Sequence, residues 1–148
     1  MTFYGILQHL HSGLRWLVLL GLIVAIIASL NQWKKASQDG TQLRWANIAV
    51  RLTHLQFLIG LILYFKSPMV QFSGNVMKNE VLRFYTVEHI TLMVIAIILI
   101  TVGYSKAKKK ALTSKKAKTI FWYFLVGLIL ILISIPWPFR EALGGGWG

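Results

Sequence analysis

Residues 14–30 read LRWLVLLGLIVAIIASL, a run with a single charge, Arg15, near its start. A hydrocarbon core about 30 Å thick needs roughly 20 mostly apolar helical residues to cross it. Extended back to Phe3, the run is long enough, so residues 3–30 are expected to form a first span. Reading outward gives three more. Residues 43–65 end in FLIGLILYF, residues 80–104 have the core ITLMVIAIILITVGY, and residues 120–137 include FWYFLVGLILILISIPW up to its Pro-Trp end. Short connections make consecutive helices antiparallel neighbours. No internal repeat or composition break divides the chain. Residues 1–148 are therefore expected to form one transmembrane domain, an all-α, integral membrane four-helix bundle.

Composition agrees. Hydrophobic residues make up 56% and charged residues 14% of the chain, against about 25% charged in a soluble domain. That balance excludes a disordered chain. There is no cysteine, which excludes disulfides, thiolate metal sites, iron–sulfur clusters and c-type haem attachment. Sixteen Lys and Arg against four Asp and Glu give a net charge of +12. The stretch KAKKKALTSKKAK (106–118) has a nucleic-acid reading, but insertion rules and anionic lipid already explain a basic loop between two spans. Nucleic acid is not an expected partner; the lipid bilayer is.

Direction follows from those loops. Lys34, Lys35 and Arg44 surround the first, and Lys106, Lys108, Lys109, Lys110, Lys115, Lys116 and Lys118 the third. Basic loops stay in the cytoplasm. The opposite side carries only Lys66, Lys78, Arg83 and Arg140. N-terminus and C-terminus are thus expected outside. No basic residue precedes the first apolar run, so it reads as a span and not as a cleaved signal. Trp33 and Trp45 suit the inner boundary, and Tyr4, Trp137, Phe139 and Trp147 the outer one, where amphipathic rings concentrate. Pro136 and Pro138 are expected to end the fourth span. The closing GGGWG (144–148) reads as flexible or docked on a partner.

Against this background the polar residues within the spans stand out: His9, His11, Arg15, Arg51, His54, Gln56, Glu88 and His89. Ionisable groups at membrane depth are costly and usually face the bundle interior or water. At about 1.5 Å per residue, His9 lies roughly 9 Å, His11 roughly 12 Å, His89 roughly 13 Å and His54 roughly 16 Å from the outer ends of their spans. All four histidines thus fall in or near the outer half of the bilayer, from three helices. Imidazole is a common metal ligand in its neutral form. Six-coordinate haem takes two such rings from separate helices. With helices in sequence order around a square, spans one and three are diagonal, so His11 and His89 are the expected axial pair. His54 and His9 are the alternatives. Span four has no histidine. Two haems would collide in one leaflet, so the expectation is a single haem b.

The other polar residues have expected supporting roles, each beside a structural one. Arg15 lies one turn from His11 at i+4, and Glu88 is close enough in depth to neutralise it. The same two residues also suit a purely structural ion pair. Arg83, nearer the surface, suits haem propionates through charge-assisted hydrogen bonds. His54 and Gln56 suit a quinone headgroup, a fixed water, or a hydrogen bond that orients an axial imidazole. Gly13, Gly21, Gly60 and Gly103 let a flat ligand or another helix come close. Arg51 has the alternative of reaching back toward the inner headgroups.

The motifs HLHSGLRW (9–16), RLTHLQFLIG (51–60), VEH (87–89) and IPWPF (135–139) resemble those of small bacterial four-helix membrane proteins labelled cytochrome b, over nearly the whole chain. The resemblance implies a bacterial inner (cytoplasmic) membrane location. It also implies haem ligands on alternate helices, which favours His11 with His89. The chain departs from two-haem members because it has no second diagonal pair. The motifs are also loosely similar to copper-resistance D type membrane domains. That similarity implies instead a metal path along His9, His11, His54 and His89, with Met69, Met77 and Met93 as further ligands.

The leading expectation is therefore a haem-b electron carrier exchanging electrons with quinol or a periplasmic partner. The alternatives are haem-free copper transport and a structural or assembly subunit of a larger membrane complex. Hydrolases fare poorly, because no phosphate-binding loop precedes a helix and no third group orients Ser12 against a histidine.

Overall fold

The computed structural model describes residues 2–35 and 40–144. Trp147 and the end of the GGGWG tail lie outside the described residues. Four long helices account for the architecture: α1 (Phe3–Lys35), α2 (Thr41–Lys66), α3 (Glu80–Lys108) and α4 (Thr113–Ser134). All four are long and apolar enough to cross a membrane. No strand occurs among the described residues.

The helix ends follow local chemistry. Gly40 takes the left-handed conformation, φ 70°, that releases the chain into α2. Asn79 caps α3 by accepting from the Leu82 N–H at 3.1 Å. Ile135, extended at φ −75° and ψ 131°, is driven there by the ring of Pro136. α4 therefore stops at Ser134, short of the expected end at 137. At its other end it begins at Thr113 instead of 120, because Lys115, Lys116, Ala117 and Lys118 are good helix formers. α1 runs on to Lys35, past the expected 30, for the same reason.

The four helices stand in sequence order around the bundle. α1 packs on α2 and α4, α3 packs on α4, and α2 meets α3 along a thinner seam. α1 and α3 are thus diagonal. Close approach comes from small residues, the usual device where lipid removes the hydrophobic drive between helices. A Cβ on Gly21 of α1 would lie 3.6 Å from the Ala49 Cα of α2. Ala25, Ala46 and Ala49 along this seam are fully buried. Gly103 of α3 sits beneath the Tyr123 ring, and Gly127 of α4 beneath Ile100. The α2–α3 seam is held by polar links. Tyr64 Oη donates to the Thr86 carbonyl at 2.9 Å, His54 Nε2 bonds Thr101 Oγ1 at 2.9 Å, and Asn47 Nδ2 donates to Tyr104 Oη at 2.7 Å. The exterior is apolar, with Leu17, Leu20, Leu58, Ile98 and Ile133 exposed.

α3 is irregular near its start. Glu80–Arg83 is α-helical, Phe84–Glu88 widens into a π turn, and His89–Lys108 is α-helical again. The His89 N–H closes the wide turn on the Phe84 carbonyl. Such bulges often occur at functional sites.

Candidate functional site

Among the residues singled out from the sequence, the fold brings His11 and His89 together. Their ring centroids lie 6.4 Å apart with the planes crossed at 69°. They project from the diagonal helices α1 and α3, at the bundle end opposite the lysine-rich loops.

His89 is held by the end of α4. Its Nδ1 lies 2.7 Å from the Ser134 carbonyl oxygen. A carbonyl only accepts, so Nδ1 carries the proton and the neutral ring keeps its lone pair on Nε2. Ser134 has this carbonyl to offer because its helical donor would be residue 138, and Pro138 has no N–H. Two neighbouring carbonyls are also met by side chains. Leu132 accepts from Trp137 Nε1 at 2.9 Å, and Ile133 from Arg140 Nη1 at 3.2 Å. The broken C-terminus of α4 is thus closed by Trp137, Arg140 and His89. Phe84, almost fully buried, packs on the His89 ring at 5.8 Å. Arg140 lies over the other partner of this stack, 4.9 Å from the Phe84 ring.

His11 is held by α2. Its carbonyl accepts from Gln56 Nε2 at 2.8 Å. Its ring lies on Gly60, where a Cβ would come 2.9 Å from Cε1. Two polar atoms of this corner are buried without a hydrogen-bond partner, His11 Nδ1 and Gln56 Oε1.

The other expected residues are placed differently. Glu88 does not meet Arg15. It pairs with Arg83 at 2.7 Å, both half exposed, and Arg83 also donates to the Met77 carbonyl at 3.4 Å. Arg15 lies against two indoles, its Cζ 5.3 Å from the Trp16 ring and 5.8 Å from the Trp137 ring. His54 is exposed and tied to Thr101, and His9 is exposed on α1. His54 is not level with the pair: its partner Thr101 stands twelve residues along α3 from His89, about 18 Å at about 1.5 Å per residue. Among the described residues no three His, Asp or Glu side chains gather as a metal site.

Sequence reasoning passed over Ser134, the π turn and the cradle at Gly60. Pro138 gave a signal for the first, since any proline orphans the carbonyl four residues before it in a helix. The wide turn carries no comparable mark.

The centroid spacing is compatible with a metal between the rings. Imidazole–metal bonds of about 2.0 Å, as on zinc, plus about 1.1 Å from nitrogen to ring centre on each side, put two opposed imidazoles about 6 Å apart. Metal-bound histidines usually give their other N–H to a carbonyl or carboxylate, as His89 does to Ser134. The unpartnered His11 Nδ1 and Gln56 Oε1 add polar capacity that the protein alone leaves unspent. No known protein family, curated protein or solved structure matches this chain.

Proposed function

We propose that the chain is a multi-pass membrane protein that holds one haem b between His11 and His89 and works as an electron carrier. The observation that carries this reading is the imidazole pair, 6.4 Å between centroids with the planes crossed at 69°, with one ring fixed through Nδ1 on a backbone carbonyl. The same spacing suits an edge-to-face contact between two rings. The orphaned nitrogen of His11 favours a bound group over that contact.

In this reading the basic loops lie in the cytoplasm and both termini outside, in the inner membrane of a bacterium. Bound haem supplies a one-electron couple. The protein's part is orientation and insulation. Ser134 sets the His89 tautomer, and Gln56 and Gly60 set the position of His11. Phe84 shields the His89 ring. The Arg83–Glu88 pair places a cation at the outer edge of α3, where propionates or a redox partner would meet it. Quinol and an outside redox protein are the two partner classes compatible with a carrier near one surface.

The test is a reduced-minus-oxidised spectrum of the purified protein after haem-sufficient expression. A b-type spectrum that is lost in both His11→Ala and His89→Ala supports the proposal. No b-type absorption, or full haem retention in both variants, refutes it.

A further inference from the structure

A further polar feature at depth is Arg51, exposed on α2. Its Cα lies about 15 Å from the Thr41 end and about 22 Å from the Lys66 end, at about 1.5 Å per residue. It is exposed, and it makes no hydrogen bond or ion pair with any described residue. Side chains that share its face, Ile48, Leu55, Leu58 and Ile62, are exposed as well, as is Arg44 two turns toward the basic loop. α2 is also the least apolar of the four helices, and the least buried: 17% of its most apolar window is covered, against 39% for α1 and α4. A free-standing bundle would be expected to turn its most apolar helix toward lipid. Here the helix most open to the surroundings carries a cation at depth. Cations at such depth almost always face protein or water.

We infer that this face of α2 is an intramembrane interface for a transmembrane helix of a different protein, one that carries a carboxylate level with Arg51. The charge argues for the partner's chemistry. A guanidinium away from water is matched best by a carboxylate, which can take two parallel hydrogen bonds. A second copy of this chain has none to offer at that level. Its four acids are Asp39, between α1 and α2, Glu80 and Glu141 at the opposite end, and Glu88. Glu88 is already bound to Arg83. The headgroups of anionic lipids lie at the surface and not at this depth. Ile48, Leu55 and Leu58, one to two turns from Arg51 on its face, give the partner helix an apolar surface to pack on.

The test uses the full chain in the membranes of its own host, with a photo-crosslinking amino acid at position 55, one turn from Arg51. The same probe at position 129, on the exposed face of α4, is the control. The expected result is one discrete adduct from position 55 and none from position 129. Mass spectrometry of the adduct finds a partner peptide from an apolar span that holds Asp or Glu. The adduct falls by about tenfold or more in Arg51→Leu and in Arg51→Glu, the scale of losing one buried charge pair. It persists in Arg51→Lys, and it returns in Arg51→Glu when the partner's acid is changed to Arg. An adduct with a second copy of the chain, adducts with lipid alone, or undiminished crosslinking in Arg51→Leu overturns the inference. The last result means that Arg51 simply reaches back to the inner headgroups. Haem content and helical circular dichroism of each variant report whether it folds, and the charge-swap rescue cannot come from misfolding.

Discussion

Pro138 acts on His89 without touching it. By lacking an N–H it leaves the Ser134 carbonyl to the imidazole, 2.7 Å away. Replacing both Pro136 and Pro138 by Ala lets α4 continue, and the new N–H at 138 competes for that oxygen. On the proposed haem reading, affinity for haem is then expected to fall by about 10- to 100-fold, the usual cost of losing a hydrogen bond behind a metal-bound histidine. Haem titration of the apoprotein measures this, and unchanged affinity would show that Ser134 does not orient His89. Gly60 gives a second residue-scale prediction, with two effects of opposite sign. Ala in a helix is favoured over Gly by about 1 kcal/mol. Its Cβ would also stand 2.9 Å from His11 Cε1 and push the ring aside. Gly60→Ala should therefore keep or raise the unfolding temperature while haem content falls, as read from the ratio of haem to protein absorbance. At this scale residue counting brought His11 and His89 to one level but misplaced His54 in height as well as direction. Counting residues put His54 level with the pair, but it bonds Thr101, about 18 Å along α3 from His89 at about 1.5 Å per residue, and its side chain is exposed. Glu88 was level with Arg15 and closed instead on Arg83, five residues back along its own helix.

Whole helices were the most legible level, because a run of about 20 apolar residues has few other fates. Their ends were not, since lysines near a terminus can extend a helix into water while leaving the apolar count unchanged. Nor was the π turn at Phe84–Glu88, which shifts the angular phase of everything before His89. It rests on tertiary bonds, Tyr64 Oη to the Thr86 carbonyl at 2.9 Å and the Gln71 N–H to Thr86 Oγ1 at 3.1 Å. Removing the first in Tyr64→Phe should cost about 1 kcal/mol of stability, measured by unfolding in detergent. Helix pairing at the α3–α4 seam makes a sharper prediction. A Cβ at Gly127 would lie 2.6 Å from Ile100 Cγ1 and 3.5 Å from the Ala96 carbonyl, and one at Gly103 would strike the base of the Tyr123 ring. Gly103→Ala and Gly127→Ala should each destabilise by about 1–3 kcal/mol, despite the better helix propensity of Ala. Gly21→Ala should cost less, because its tightest neighbour is the free end of Leu52, at 3.3 Å. Equal unfolding temperatures for the three variants would contradict the packing read from these seams.

On the scale of the molecule the decisive feature is asymmetry. The lysines gather at one end of the bundle, and three of them lie over aromatic rings there: Lys106 on Tyr123, Lys108 on Tyr104 and Lys118 on Trp33. The histidine pair lies toward the other end. His11 is about 12 Å from the Phe3 end of α1 and about 36 Å from the Lys35 end, at about 1.5 Å per residue. Electron tunnelling falls steeply with distance, so a redox centre held at that level exchanges electrons readily through one surface only. In the proposed orientation, with the basic loops in the cytoplasm, that surface is the outer one. Reduced protein in right-side-out vesicles should therefore be oxidised rapidly by an oxidant that cannot cross the membrane. In inside-out vesicles the same oxidant should act far more slowly, until detergent opens them. A stopped-flow trace at a b-type absorption band reports both rates. Equal rates from the two faces would mean that the centre lies near the midplane or that the chain inserts in both directions. Fast oxidation only from the lysine-rich face would place the histidines on the cytoplasmic side, against the charge rule that orients the four spans.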